Sequence, residues 1–307
     1  MIQEIPITSR EQWLTARHQD VTASQAAALL GIHPYSSAFS LYVEKSGPLQ
    51  LDDGAVSGPM ERGLLLEPVA IKKLQRDHPD WDIIPGTHYY RDPAKRIGAT
   101  PDALVWMKDR PEFGVIQFKS VEPGVFKRNW RNEAGEIEPP LWIVVQAAVE
   151  RELTGASYAL VVPLVIGFSV EIHEIEIPYE PTLITRIEAD VAEFWTRVEN
   201  KRPPDVTSPK DAEVLATLYH TVGGTVDLSG DNELTTLADE DEDLKAQIRY
   251  TEERRKIIKA RFMAAMGNAG VGYLSDGRCI IRQQVDVKAY TVPAKSYIKL
   301  TLKEPRA

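Results

Sequence analysis

Between residues 58 and 77 the apolar positions Leu64, Leu65, Val69, Ile71 and Leu74 recur at helical spacing, which predicts an amphipathic helix. Pro68 places a kink or restart within it, beside Glu67. Earlier, the alanine-rich run 22–31 reads as a short helix with Thr22 near its N-cap and Gly31 at its end, followed by a loop, HPYSSAFS. The period then shortens. Strand-like runs cover 88–91, 97–107 and 113–121, and the turn KDRPE joins the last two as a hairpin. Pro139 and Pro140 open a second helix, LWIVVQAAVERELTG, with Gly155 as its stop. Residues 158–165 are almost continuously apolar, as in a central strand, whereas 168–177 alternate with one slip. A helix over 181–200 completes a mixed α/β domain with a central sheet, and Lys201-Arg202-Pro203-Pro204 is its exit.

Beyond that exit the pattern changes. Residues 231–267 contain no proline and no glycine until Gly267, and Leu237, Leu244, Ile248, Ile258 and Phe262 form one stripe of a long helix that needs a partner surface. A short helix over 210–220 or another subunit would provide one. The tail from 272 to 292 carries the Asp276-Gly277 hairpin signal and reads as a small β appendage. The expected division is therefore 1–205 and 206–307.

The 307 residues, 43% apolar and 26% charged, can bury a sizeable core and exclude a disordered or collagen-like chain. The one cysteine, Cys279, excludes an internal disulfide and points to a reducing compartment, the cytoplasm; its apolar strand suggests buried packing. The polar N-terminal stretch lacks the h-region of a secretory signal, and no apolar run is long enough to enter a membrane. A net charge of −9 argues against a nucleic-acid partner unless charge is segregated. It is segregated. Acidic residues crowd into 239–243, and basic ones gather at Lys72-Lys73, at Lys127, Arg128 and Arg131, and from Arg254 through Lys259 to Arg261.

The hairpin holds the most informative residues: Thr100-Pro101-Asp102 on one strand and Gln117-Phe118-Lys119 on the next. Strand alternation puts 117 and 119 on one face, and pairing brings Asp102 alongside, so that an acid, an amide and an amine meet at one sheet surface. Such a cluster suits a hard divalent cation and a phosphate, although on the spacing alone a structural Asp–Lys pair, a common feature of hairpins, is the more ordinary reading. The six histidines show no zinc-hydrolase spacing, Val222-Gly223-Gly224 lacks the lysine of a nucleotide loop and reads as a turn, and no nucleophile elbow is present.

In order along the chain, Arg17, Ser24, Glu67, Thr100-Pro101-Asp102, Gln117-Phe118-Lys119 and Gln146 resemble the lambda-exonuclease or YqaJ-type viral recombinase branch of the PD-(D/E)xK nucleases, over about residues 9–200. Ser9-Arg10-Glu11-Gln12-Trp13, Arg62-Gly63 and Phe194-Trp195 support the resemblance. It implies a restriction-endonuclease-like core and an Mg²⁺-dependent deoxyribonuclease, with Mn²⁺ as a substitute, that digests duplex DNA ends 5′ to 3′ in phage-type recombination. By the same resemblance, Asp102, Glu67, Gln117 and the Phe118 carbonyl hold metal, and Lys119 orients the attacking water. Gln146 projects toward the metal, and Arg17, Ser24 and Thr100 hold a 5′-terminal phosphate. The relatives imply a trimer and a single-strand annealing partner. For 206–307 three uses stay open: binding that partner, extending the DNA grip, or self-association.

Two positions depart from the family pattern. Gln117 stands where the family has Glu or Asp, which weakens a cation site, and Glu150 stands where many relatives have Tyr. Two alternatives therefore accompany the exonuclease reading: a catalytically inactive DNA-end-binding scaffold and a structure-selective endonuclease.

Overall fold

The computed structural model describes residues 1–47, 58–221, 223–286, 288 and 302. Val222 and the tail positions 287 and 289–292 lie outside them. The chain divides into two compact units, Met1–Leu218 and Tyr219–Ala307.

The first unit runs β1 (Gln3–Pro6), α1 (Arg10–His18), β2 (Val21–Thr22), α2 (Ala23–Leu29), α3 (Ala38–Ser46), α4 (Gly58–Asp77), β3 (Trp81–Pro85), β4 (His88–Asp92), β5 (Ile97–Ala99), β6 (Ala103–Met107), β7 (Phe113–Val121), α5 (Pro123–Asn129), α6 (Leu141–Thr154), β8 (Tyr158–Ile166), β9 (Val170–Ile172), β10 (Ile175–Ile177), α7 (Pro181–Glu199) and α8 (Asp211–Leu218). Strands β10, β8, β7, β6 and β3 lie side by side in a mixed sheet, with β9 also on β8; β7 and β8 are parallel and the other pairs antiparallel. A smaller sheet has the order β1-β4-β5-β2.

Strand alternation divides β7 between two cores. Ile116 and Phe118 pack with Ala70, Ile71 and Leu74 of α4 on one face, while Val115 and Val121 pack with Phe126 of α5 and Ile143 and Ala147 of α6 on the other. Helix α6 is apolar on two sides, because Val145, Val149 and Leu153 enter a third core with α2, α7 and the smaller sheet. Its C-terminus is closed by Gly155 in the left-handed region, at φ 71°. This is the central mixed sheet flanked by helices that the sequence leads one to expect.

Several local expectations need correction. The run 97–107 is two strands: it leaves the smaller sheet after Ala99 and enters the larger one at Ala103, with Thr100-Pro101-Asp102 at the crossing. Pro101 has no N–H to continue a ladder. Helix α4 passes through Pro68 without a restart; Leu64, the residue whose carbonyl loses its partner, is exposed and open to water. The stretch HPYSSAFS is only partly loop, since α3 begins inside it with Ser37 as N-cap, accepting from the Ser40 N–H at 2.9 Å. The slip within 168–177 is a gap between β9 and β10, which keep one register on β8.

The second unit comprises α9 (Asn232–Met266) and an antiparallel pair, β11 (Val271–Tyr273) and β12 (Cys279–Ile281), around the expected Asp276-Gly277 turn. No residue of α9 is buried. Cys279 is exposed rather than packed, because a two-stranded ribbon covers neither of its faces.

Candidate active site

Ala103 pairs with Ile116, which sets Asp102 opposite Gln117 as β6 begins. Oδ2 of Asp102 accepts the Phe118 N–H at 2.7 Å and also a bond from Nε2 of Gln117, which in turn donates to the Phe118 carbonyl at 3.1 Å. On the same face of β7, Lys119 Nζ donates to Oε1 of Gln146 at 2.9 Å, and Gln146 Nε2 donates to Oε1 of Gln117 at 2.6 Å. The sheet strand and α6 thus close a continuous chain from Lys119 through Gln146 and Gln117 to Asp102.

Gln146 has one further partner, Oε1 of Glu150, one helical turn along α6 at 2.9 Å. Glu150 is fully buried, and its other oxygen has no hydrogen-bond partner. Burial, then the nearby Asp102 charge, raise its carboxyl well above the usual range, against the Gln146 hydrogen bond and the Lys119 charge. The sequence marked Glu150 only as a departure from pattern; its i,i+4 spacing from Gln146 was the signal for its place in the cluster.

Glu67 arrives from the opposite side of the sheet on α4 and joins the cluster electrostatically. Burial and the Asp102 charge push its carboxyl up to about 7, with Lys119 opposing. Asp102 is pushed up to about 6 by burial, opposed by Lys119, the Phe118 N–H and Gln117. Two acids held so far above their ordinary values form a site short of positive charge.

That deficit bears on a divalent cation. Among the described residues no three His, Cys, Asp or Glu side chains are grouped to hold one unaided, so an ion here would need the amide or backbone oxygens as well. The donors at hand, two carboxylates, the Phe118 carbonyl and the Gln117 amide, are all hard oxygen donors and fit Mg²⁺ or Mn²⁺. The Gln117 NH₂ already sits between Asp102 and the Phe118 carbonyl, where a positively polarised group is satisfied.

The three residues expected at a 5′-phosphate form a second group. Trp13 Nε1 donates to Thr100 Oγ1 at 3.1 Å, and the Arg17 guanidinium lies 4.2 Å from the Trp13 ring centroid. Ser24 Oγ is 3.1 Å from Thr22 Oγ1, and Gln25 links Thr22 to Glu44. Lys45 pairs with Glu44 at 3.0 Å and donates to the Arg17 carbonyl at 2.9 Å. Burial lowers the Lys45 pKa. The backbone of Thr100-Pro101-Asp102 joins this group to the first. Trp13 and Lys45 were not singled out for these positions by the sequence; a tryptophan four residues before Arg17 was the available cue.

Residues 12–156 match the family model of the YqaJ-like viral recombinase domain. No curated protein matches the chain. Among solved structures, the alkaline exonuclease LHK-Exo from Laribacter hongkongensis is 21% identical with a TM-score of 0.49, covering 67% of this chain and 98% of its own. Its complex with dAMP gives 22%, 0.46, 67% and 96%, and a SOX–DNA complex gives 10%, 0.40, 62% and 67%. The stretch 12–156 that resembles the YqaJ-like viral recombinase domain includes Arg17, Ser24, Glu67, Asp102, Lys119 and Gln146.

Proposed function

We propose that the protein is a divalent-cation-dependent DNA exonuclease of phage-type recombination, acting 5′ to 3′ from duplex ends, with a rate lowered by Gln117. The convergence of Asp102, Gln117, Lys119 and Gln146 in one hydrogen-bonded chain, with Glu67 in electrostatic reach, carries this reading. Asp102, Glu67, the Phe118 carbonyl and the Gln117 oxygen would hold the cation, Mg²⁺ or Mn²⁺. When bound, it would supply charge neutralisation at the scissile phosphate and an activated water. Lys119, steered by Gln146, would orient that water and offset developing charge. Arg17, Thr100 and Ser24 offer a guanidinium and two hydroxyls, donors suited to the acceptor oxygens of a 5′-terminal phosphate. A homo-oligomer, a trimer by family likeness, and a single-strand annealing protein are the partners proposed, and the cytoplasm the compartment.

A second reading, an inactive DNA-end-binding scaffold, is favoured by one observation: the Gln117 NH₂ faces the two oxygens a cation would need. Linear duplexes with and without 5′-phosphate, alongside closed circles, separate the readings in Mg²⁺, Mn²⁺ and chelator. The exonuclease releases nucleotides from phosphorylated ends and spares circles. Nicked circles indicate an endonuclease, and shifted mobility without cleavage by this chain or its Gln117→Glu form indicates a scaffold.

A further inference from the structure

The loop after α2 and the first turn of α6 bring three rings together beside Lys119. The His33 and Trp142 centroids are 5.2 Å apart at 67°, His33 and Tyr35 are 6.0 Å apart at 76°, and Tyr35 and Trp142 are 6.3 Å apart at 81°. All three contacts are edge-to-face, the geometry that fixes rings against one another and leaves faces open. The Lys119 ammonium lies 5.4 Å from the Trp142 centroid. Trp142 is anchored by packing against the core of α2, α6 and α7, whereas Tyr35 is 71% exposed.

The loop itself is held. Tyr35 N–H donates to His33 Nδ1 at 3.2 Å, and Ser36 and Ser37 bond to Ser40 at the start of α3. Burial, and then the Lys119 charge, lower the His33 pKa, which favours the neutral ring. The Phe126–Trp130 pair of α5 and its C-cap differs in kind, since both of its rings are buried. The His33–Tyr35–Trp142 group is an uncharged, pre-ordered surface contiguous with a cluster suited to phosphate.

We propose that this group is a stacking platform for an unpaired nucleobase of the nucleotide whose phosphate meets Lys119, with Tyr35 as the ring that takes the base. Every base has a π face, so the platform recognises an unstacked nucleotide without regard to sequence. A duplex end that frays presents an unstacked base, and an open aromatic face accepts it. The inference rests on the reading of the site as a DNA nuclease only in naming DNA as the ligand.

The test compares binding, in chelator, to 5′-phosphorylated duplexes whose terminal nucleotide is intact or abasic. The present chain is expected to bind the abasic end about 5- to 140-fold more weakly, the span given by base–aromatic stacking. Tyr35→Ala, at an exposed position that folding tolerates, should abolish the difference, and Tyr35→Phe should keep it. No difference in the unaltered chain, or an undiminished one in Tyr35→Ala, overturns the platform. Cation-dependent cleavage without discrimination sinks the platform alone. Discrimination without cleavage by this chain or by Gln117→Glu leaves the platform standing and sinks the nuclease reading.

Discussion

Gln117 decides how the cluster balances its charge. Its NH₂ satisfies Asp102 and the Phe118 carbonyl, and a carboxylate in its place could only accept, removing the donor between those two oxygens and leaving a group of acceptors that a cation would satisfy. Gln117→Glu is therefore expected to raise Mg²⁺ affinity and to raise the cleavage rate by about two orders of magnitude or more, measured by titration calorimetry and single-turnover hydrolysis; a folded variant with an unchanged rate would defeat the idea. The acids make a second prediction. Glu67 rises from 4.5 to about 7 and Asp102 from 3.8 to about 6 in the folded chain, so the native state holds these protons more tightly than the unfolded one. Their stabilisation is complete below about pH 4 and is lost as pH rises through 6 to 7. A cation competes with the same protons, so Mg²⁺ should raise the melting temperature more at pH 8 than at pH 5, and equal shifts in calorimetric scans would contradict this. Asp102, Gln117 and Lys119 were legible in the sequence because a two-residue period and one hairpin place them. His33, Tyr35 and Trp142 were not, because only tertiary packing joins residue 33 to residue 142.

Among the elements, the crossing between sheets at Thr100-Pro101-Asp102 positions both groups of the site, and its neighbour is Gly86 in the turn from β3 to β4. The Gly86 N–H donates to the Asp102 carbonyl at 2.9 Å, and a Cβ there would lie 1.9 Å from the Pro101 carbonyl oxygen. That atom is backbone and cannot rotate away. Gly86→Ala should cost ~1 to 3 kcal/mol by overpacking and should lower cleavage further, by displacing Asp102 from Phe118 N–H; thermal denaturation read beside the cleavage rate checks it, and full stability with full activity refutes it. Helices α6 and α7 and strands β7 and β8 could be read from periodicity because each is long and has a consistent apolar face or run. Helices α1 and α3 escaped because they are only nine residues each, with starts set by the serine caps Ser9 and Ser37, and because the buried Phe39, Leu41 and Val43 of α3 alternate as in a strand.

Over the whole chain, the composition break after Pro204 and the compact unit ending at Leu218 enclose α8, a helix of eight residues. Asp211 at its start is fully buried: Oδ1 accepts the Ser37 hydroxyl, and Oδ2 accepts the N–H groups of Thr207 at 3.0 Å and Ser208 at 2.9 Å. Ser37 is itself buried and caps α3, so α8 is tied to the helix that follows the aromatic loop. Sequence patterning placed the break at the proline pair, with the helix read over 210–220 beyond it, because a single buried aspartate gives no sign of the unit that helix joins. A chain ending after Leu218 is therefore expected to melt close to the first unit of the full protein. One ending at residue 205 loses a charged partner for a buried hydroxyl, a cost of ~1 to 3 kcal/mol, or about 2 to 10 °C for a unit of this size. Asp211→Asn in the full chain isolates the charge, since the amide can still accept from one side but loses acceptor capacity on the other; it should reproduce part of the drop. Equal melting temperatures for the two truncations would mean that α8 contributes nothing to the fold around Ser37.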